Sequence, residues 1–326
     1  MSLPGRSHLV GLIGGGITAS LTPPLHERAA DRLGLRYLYR PVDLEALPGH
    51  PGPVSAQHGV ELLGAARELG FSACNVTHPC KQLAVAPMDE LSEEAARLGA
   101  VNTVLFRDGR MIGHNTDVTG FAAALAAGLP AADLTRVVQL GTGGAGSATA
   151  YALLAAGAQR LELFDVDRQR AEERAAEYAR LFPGAEVRAL SREQLPEAVG
   201  EATGLLNATP IGMHHHPGAP LDLELVHPGL WVADVIYLPQ ETPLIRRARA
   251  LGCPVLPGGG MAVGQAVDAF TLITGQAPDR EAMARDFAEL VTAQQGPGTP
   301  TPPSPAESTP VHAESQPAAE DEEAGR

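Results

Sequence analysis

Cysteine is scarce in this chain of 326 residues, which contains Cys74, Cys80 and Cys253 and no others. These thiols form no CxxC pair, and an odd number does not suit a disulfide framework. The same spacing argues against a metal site built from thiolates. We therefore expect three reduced cysteines.

Long apolar runs and an excess of basic residues are also missing. No apolar run approaches the roughly 20 residues needed to cross a bilayer. The opening MSLPGRSH has no basic stretch followed by an apolar one, as a secretory signal would. The net charge of -14 disfavours a phosphate-backbone partner, because such binding depends on clustered Lys and Arg. We expect a cytoplasmic protein that binds neither membranes nor nucleic acids.

Residues 296–326 are rich in Pro, Thr, Ser, Ala and Glu and contain almost no large apolar side chain. Such a composition cannot bury enough surface to offset the entropy lost on ordering. It predicts a disordered tail that acts as a solvated spacer unless a partner binds it.

The rest of the chain is long enough for two α/β domains with a cleft between them. In residues 1–116, helices are predicted at 23–33 and 54–69. Strands are predicted at 8–14, 36–43, 72–77, 100–106 and 110–115. The turn Arg107-Asp108-Gly109 separates the last two. This pattern predicts a mainly parallel sheet with a terminal hairpin.

A second alternating series follows over residues 117–258, opened by a predicted helix at 117–127. Further helices are predicted at 145–156, 168–181 and 243–251. Strands are predicted at 137–140, 161–164, 186–190, 204–209, 231–237 and 254–257. This rhythm is typical of a doubly wound (Rossmann) nucleotide-binding domain. Two final helices, at 261–274 and 280–294, are long enough to return to the first domain.

The segment GTGGAG at 141–146 fits the GxGxxG pattern between a predicted strand and a predicted helix. In such a turn Gly141 permits the tight bend, Gly143 lets the backbone approach a pyrophosphate, and Gly146 permits helix-to-strand packing. The pyrophosphate would lie at the helix N-terminus. Glycine-rich turns also serve plain packing, but the surrounding strand and helix favour a dinucleotide site.

Asp165 follows the predicted strand at 161–164, where an acid accepts hydrogen bonds from an adenosine ribose. Its charge would repel a 2′-phosphate, which favours NAD over NADP. Arg168 and Arg170 could instead pair with that phosphate, so NADP remains possible. The alternative structural role for Asp165 is to cap the helix that begins at Arg168.

Lys81, in NVTHPCK, and Asp117, in GHNTDVTGF, could form a proton-handling pair. A lysine can exchange a proton with a carbonyl or alcohol, and a nearby carboxylate would orient it. Taken singly, Asp117 is as compatible with a helix cap and Lys81 with a solvated side chain. Ser20 and Thr22 could likewise cap the helix at 23–33.

Taken together, several motifs resemble the shikimate dehydrogenase family over nearly all of residues 7–290. They are ITASLTPPLHE, NVTHPCK, GAVNT, GHNTDVTGF, NATPIGM, DVIYLPQETPL and GGMAVGQAVDAF. The resemblance implies a Lys81–Asp117 catalytic dyad and places the helices in about 259–294 back on the first, substrate-binding domain. It implies substrate contacts from Ser20, Thr22, Thr77, Asn102 and Gln265. It implies cofactor contacts from Gly141, Gly143, Gly144, Ala145, Gly146, Asp165, Arg170, Asn207, Thr209, Pro210, Met213, Tyr237, Gly258 and Met261.

Two departures resemble the NAD-dependent quinate/shikimate dehydrogenase branch of that family. Thr22 stands where a second serine is usual, and Asp165-Val166-Asp167 stands where a basic run is usual. The implied reaction moves a hydride between NAD and the ring 3-hydroxyl of quinate or shikimate, giving 3-dehydroquinate or 3-dehydroshikimate. One methyl group on Thr22 does not decide between the two substrates. A third departure, Cys80 in place of a larger apolar residue, is expected to change packing beside Lys81.

Other interpretations stay open at this point. The nearest is a biosynthetic shikimate dehydrogenase that uses NADP, and a more distant one is a ligand-binding regulator on the same fold that has lost its chemistry. The expected partner is a small cyclic hydroxy acid, and the protein could be a monomer or a homodimer.

The adjacent residues His214, His215 and His216 suggest a metal site, but adjacent histidines do not face one another as metal ligands do. We expect no metal.

Overall fold

A computed structural model describes residues 7–214 and 216–295, so the predicted disordered tail lies outside the described residues. The first half contains strands β1 (Ser7–Gly14), β2 (Arg36–Asp43), β3 (Ala73–Val76), β4 (Glu90–Leu91), β5 (Thr103–Arg107) and β6 (Arg110–His114). Its helices are α1 (Thr22–Arg32), α2 (Ala56–Glu68) and α3 (Glu93–Leu98). The sequence did not predict β4 or α3, which are too short to show a periodic pattern.

These strands form one six-stranded sheet in the order β2-β1-β3-β5-β6-β4. Strand β1 pairs in parallel with β2 and β3, whereas β5 pairs antiparallel with both β3 and β6. The predicted hairpin is confirmed. Asp108 and Gly109 both have positive φ, 51° and 74°, as the tightest hairpin turns require.

The second half begins with α4 (Thr116–Gly128) and contains β7 (Arg136–Leu140), β8 (Arg160–Phe164), β9 (Glu186–Ala189), β10 (Gly204–Asn207), β11 (Trp231–Asp234) and β12 (Val255–Leu256). Its other helices are α5 (Gly144–Ala155), α6 (Arg168–Leu181), α7 (Leu195–Gly200) and α8 (Pro243–Ala250). All six strands are parallel, in the order β12-β11-β10-β7-β8-β9. The chain order reverses between β7 and β10, so the predicted doubly wound sheet is confirmed, and a crevice opens at their carboxyl ends.

Both faces of the second sheet are covered by apolar side chains. Val137 and Val138, neighbours on β7, belong to different buried clusters on opposite faces. Such burial is typical of parallel sheets. No helix in the described ranges is both long and apolar enough to cross a membrane.

The last two helices, α9 (Gly259–Thr274) and α10 (Arg280–Gln295), connect the two halves. Phe270 of α9 and Phe287 of α10 share a buried cluster with Leu25 of α1. Arg32 of α1 also donates to Asp286 of α10 at 2.5 Å. The domain boundaries at 116/117 and 258/259 stay predictions.

Helices α4 and α9 approach each other closely at Gly120 and Gly264. A Cβ at Gly264 would lie 2.6 Å from the Gly120 carbonyl oxygen. We expect Gly264→Ala to lower the free energy of unfolding by about 1–3 kcal/mol, because the helices would have to separate. Denaturant titration measures this. Gly64→Ala in α2 is the matched control, since a Cβ there meets nothing within 4 Å, and it should stabilise by about 0.5–1 kcal/mol. Equal stability of Gly264→Ala and the wild type would contradict the close packing.

Candidate active site

A cavity of about 790 Å³ lies between the two halves of the molecule. It is lined by loops that follow strands of both sheets and by α4 and α9. Twelve predicted site residues line it: Ser20, Thr22, Thr77, Lys81, Asn102, Asp117, Ala145, Met213, Tyr237, Gly258, Met261 and Gln265. Nine others lie beyond this lining: Gly141, Gly143, Gly144, Gly146, Asp165, Arg170, Asn207, Thr209 and Pro210.

Lys81 and Asp117 meet inside the cavity. Lys81 Nζ donates to Asp117 Oδ2 at 2.5 Å, and their side chains are only 17% and 10% exposed. Asp117 lies in the first turn of α4 but does not cap it; the cap is Asn115, whose side chain accepts from the Asp117 amide. The alternative role of Asp117 as a cap is therefore wrong, and so is a solvated Lys81. Lys81 is also the only lysine in the sequence.

The amide of Asn102 is held in place before any ligand arrives. Its Oδ1 accepts from the Thr116 amide at 2.8 Å, and its Nδ2 donates to Thr116 Oγ1 at 3.0 Å. Thr103 Oγ1 also donates to Asn102 Oδ1. These contacts tie Asn102 to the start of α4, one residue before Asp117.

Asn75 lines the cavity as well, and sequence reasoning did not single it out. Its Oδ1 accepts from Tyr39 OH at 2.5 Å and its Nδ2 donates to Thr103 Oγ1 at 2.8 Å. Its position in the sequence could have identified it as a site residue, because it is a polar residue near the carboxyl end of the fully buried strand β3.

Ser20 and Thr22 flank the start of α1. The helix N-cap is Leu21, with no side-chain cap bond, so a capping role for Thr22 is wrong. Ser20 Oγ accepts from the Thr22 amide at 3.3 Å. Within the described residues, the Thr22 hydroxyl makes no hydrogen bond, which leaves it available to a ligand.

Asp43, at the end of β2, fixes the loop that leads to Ser20. Its carboxylate accepts from the amides of Gly16 and Thr18, each at 2.9 Å, and from Thr18 Oγ1 at 2.6 Å. Burial opposes ionisation, but the bonds from Thr18, Glu45 and Gly16 outweigh it and hold the pKa of Asp43 below its usual value. These hydrogen bonds therefore stabilise the folded protein at pH values above the pKa that Asp43 has in the unfolded chain. That stabilisation is lost as pH falls through the lower pKa that Asp43 has in the folded protein.

We expect Asp43→Asn to raise KM for the predicted substrate, a cyclic hydroxy acid, about tenfold with a smaller effect on kcat, because an amide leaves one loop donor unpaired. Steady-state kinetics measures the two constants. Asp133→Asn is the matched control: Asp133 also accepts from the amide and hydroxyl of one threonine, Thr135, but Thr135 does not line the cavity, whereas Gly16, which Asp43 holds, does. An equal KM change in both variants would contradict a local role for Asp43.

The glycine turn lies between β7 and α5. Gly141 has φ of 90°, and a Cβ there would lie 2.8 Å from the Ala208 carbonyl oxygen. A Cβ at Gly146 would lie 2.2 Å from the Gly141 carbonyl oxygen, so both positions demand glycine. Gly143 faces open space, and a Cβ at Gly144 would be 3.9 Å from Lys81 Cδ. The N-terminus of α5 therefore lies beside the Lys81 side chain.

Asp165, just after β8, is only 8% exposed and is held on two sides. Its Oδ2 accepts from the Thr142 amide at 2.8 Å, and Arg170 Nη2 donates to its Oδ1 at 2.7 Å. Burial opposes ionisation, but Arg170 and the backbone donors lower the pKa of Asp165. The cap of α6 is Asp167, so the predicted alternative, that Asp165 caps this helix, is wrong.

The turn after β10 is organised by Asn207, which is fully buried. Its Oδ1 accepts from the Thr209 amide at 3.0 Å and the Thr209 hydroxyl at 2.7 Å. Its Nδ2 donates to the Ile211 carbonyl and to Asp234. The Asn207 side chain therefore shapes the turn, while Met213 at its far end lines the cavity.

His214 also lines the cavity, and His215 is outside the described residues. Across residues 7–214 and 216–295, no three His, Cys, Asp or Glu side chains converge as metal ligands.

Comparison with known proteins places this geometry in a family. Residues 12–104 match a family profile described as the shikimate dehydrogenase substrate binding domain. The chain is 57% identical to a shikimate dehydrogenase (NADP(+)) of Pseudarthrobacter chlorophenolicus, covering 90% of this chain and 99% of the relative. It is 47% identical to a quinate/shikimate dehydrogenase (NAD(+)) of Corynebacterium efficiens, covering 87% of this chain and 99% of the relative.

A solved structure is also similar to this chain. Quinate dehydrogenase from Corynebacterium glutamicum in complex with NAD superposes with a TM-score of 0.82 at 42% identity, covering 87% of this chain and 99% of that one. The chain therefore belongs to the shikimate dehydrogenase family, and it has the two-domain α/β fold expected from that resemblance.

Proposed function

We propose that this protein is an oxidoreductase that transfers a hydride between a nicotinamide cofactor and the ring 3-hydroxyl carbon of quinate or shikimate. The observation that carries the proposal is the 2.5 Å contact of Lys81 with Asp117 inside a cavity that the N-terminus of α5 also approaches. The names of the relatives support the substrate class.

The dyad would handle the proton of the reaction. In the oxidising direction, Lys81 accepts the proton of the 3-hydroxyl while the hydrogen on carbon 3 departs with its electron pair. In the reducing direction, Lys81 returns the proton to the carbonyl oxygen. Asp117 accepts a hydrogen bond from Nζ, so it orients the amine and can share its proton.

The glycine turn suits a dinucleotide. Gly143 presents open backbone, and α5 begins directly after it with no side chain in the way, an arrangement that binds pyrophosphate. With its pyrophosphate bound there, a dinucleotide would supply the nicotinamide ring that gives or takes the hydride. On the other side of the cavity, hydroxyls and amides would hold the carboxylate and ring hydroxyls of the substrate. These are Ser20, Thr22, Asn75, Thr77, Asn102 and Gln265.

Asp165 leads us to propose NAD as the preferred cofactor. Its lowered pKa keeps it charged, and a buried carboxylate at this position repels a 2′-phosphate and suits a ribose diol. The second candidate is an NADP-dependent shikimate dehydrogenase. It is favoured by Arg170, which could pair with a phosphate, and by the names of relatives at 56–57% identity. We also propose that the protein is cytoplasmic and acts as a monomer or a homodimer.

The test is an absorbance assay of nicotinamide reduction that crosses quinate and shikimate with NAD and NADP. We expect turnover with at least one of the two acids, and a higher kcat/KM with NAD than with NADP. Higher kcat/KM with NADP would select the second candidate. Binding of acid and cofactor without turnover would instead support the non-catalytic regulator.

A further inference from the structure

Asp234, the last residue of β11, is a buried acid that pairs with no Lys, Arg or His of the described residues. Its exposed fraction is 2%, and none of the ion pairs among the described residues includes it. Burial raises its pKa to about 6, against the opposing effect of three hydrogen bonds. An acid that is ionised in such a place at neutral pH lowers the free energy of unfolding. Stability therefore does not explain an acid at this position, and another role would.

The three hydrogen bonds come from three different segments. Asp234 Oδ1 accepts from Asn207 Nδ2 at 3.1 Å and from the Ile236 amide at 3.0 Å. Oδ2 accepts from Thr242 Oγ1 at 2.8 Å. One carboxylate therefore joins the end of β10, the loop that follows β11 and the N-cap of α8.

Two of these segments form one wall of the cavity. The turn ordered by Asn207 carries Met213, and the loop after β11 carries Val235, Tyr237 and Leu238, all of which line the cavity. Gly258, which also lines the cavity, packs directly against this loop, because a Cβ there would lie 2.3 Å from the Val235 carbonyl oxygen. Any shift of the loop would move these lining groups together.

We propose that Asp234 is a positioning residue that holds this wall in place for the nicotinamide end of the cofactor, without touching cofactor or substrate. The inference rests on the proposed function, because it assumes that a nicotinamide binds against the wall. The nicotinamide end is common to NAD and NADP, so it does not depend on which of them is preferred.

An ionised carboxylate is the group that fits these partners. Asn207, Ile236 and Thr242 all donate, and the two carboxylate oxygens accept from all three. With an asparagine or a protonated acid, Thr242 Oγ1 would have to accept the bond that it now donates, and the hydrogen of the buried Thr242 hydroxyl would lose its acceptor. Affinity for cofactor should therefore fall as Asp234 becomes protonated.

Other ionisable groups near this wall must be separated from Asp234. Lys81, Asp117, His214 and Tyr237 line the cavity. Burial raises the pKa of Tyr237, so it stays neutral. Glu241, the neighbour of Thr242, pairs with Arg249 at 3.3 Å. His214 is an ionisable side chain of the cavity lining, so it needs its own control.

The experiment titrates the whole protein with NADH and, separately, NADPH, following cofactor fluorescence across the pH range around 6 at which Asp234 changes charge. We expect Asp234→Asn to raise Kd about tenfold for both cofactors, because a buried donor is left unpaired. The wild-type Kd should rise as pH falls through about 6, and the Kd of Asp234→Asn should not. His214→Gln should keep the wild-type pH dependence.

Glu162→Gln is the matched control for loss of a buried carboxylate. Glu162 is fully buried in the same sheet and paired with Arg136 and Arg188, but neither arginine lines the cavity or belongs to the wall that Asp234 joins. It should destabilise the protein and leave Kd unchanged. If Asp234→Asn does not fold, Thr242→Val removes one of the three donors and should raise Kd less.

Three outcomes would overturn the inference while leaving the proposed function intact: unchanged Kd in the folded variant, an equal rise in Glu162→Gln, or a pH dependence that survives in Asp234→Asn. Wild-type protein that binds neither cofactor would overturn the proposed function itself, and the inference with it.

Discussion

Lys81→Met should lower kcat by about a hundredfold to ten-thousandfold while the Kd for NADH stays close to that of the wild type. Methionine keeps the length of the side chain but can neither accept nor donate the reacting proton, and a positioned acid or base contributes about that factor. Stopped-flow or steady-state turnover, with NADH titration by fluorescence, separates the two effects. Unchanged turnover would remove Lys81 from the mechanism.

Asp117→Asn is the companion variant, because it leaves the amine in place. The amide can still orient Nζ but cannot share its proton, so we expect a smaller loss of turnover than in Lys81→Met. A larger loss would make Asp117, and not Lys81, the main proton-transfer group.

The single lysine allows a direct chemical check. An amine-reactive acylating reagent can modify only Lys81 and the chain's amino terminus. Lys81 is 17% exposed and faces the cavity, so bound NADH and substrate should slow its modification, as peptide mass spectrometry would show. If NADH and substrate do not slow the modification of Lys81, the substrate binds outside this cavity.

The sequence predicted the parts of the site that depend on local backbone or on motif order. The bend at Gly141 and the packing at Gly146 each need glycine for a steric reason, and that reason leaves a readable pattern. The alternating hydrophobic runs predicted both sheets because buried parallel strands are short and continuously apolar. The approach of Lys81 to Asp117 required the family resemblance, since nothing local links positions that are 36 residues apart.

What the sequence did not predict depends on contacts between distant segments. Asp43 and Asn75 occupy strand ends and read as ordinary strand residues until the loops around them are placed. The strand predicted at 231–237 ends at Asp234. The Asp234 carboxylate accepts a hydrogen bond from the Ile236 amide, which turns the chain at this point. Short elements such as α7 lack the length to show a period.

Asp165→Asn should change the choice of cofactor. We expect kcat/KM with NAD to fall roughly tenfold to a hundredfold, because a hydrogen bond to a charged acceptor contributes about 1.5–3 kcal/mol. With NADP, kcat/KM should rise, since the charge that opposes a 2′-phosphate is gone. The ratio of the two constants, measured with one acid at saturation, reports the change.

Asp167→Asn is the matched control for this variant. It removes the same charge two residues away, from a side chain that is 51% exposed, and asparagine still caps α6. The ratio should therefore stay near the wild-type value. An equal shift in both variants would mean that the general field of the acidic run, and not contact with the ribose, sets the preference.

Arg170 takes part in the same predicted change of cofactor. In the wild type its guanidinium donates to Asp165 through Nη2 at 2.7 Å and Nε at 3.3 Å, so pairing with a phosphate would have to replace those bonds. Asp165→Asn should release it, and the gain with NADP should then depend on Arg170. We expect the double variant Asp165→Asn/Arg170→Gln to lose that gain, which a double-mutant cycle would measure as coupling between the two positions. Additive effects would show that Arg170 has no part in the choice, and wild-type protein that already prefers NADP would refute the assignment made from Asp165.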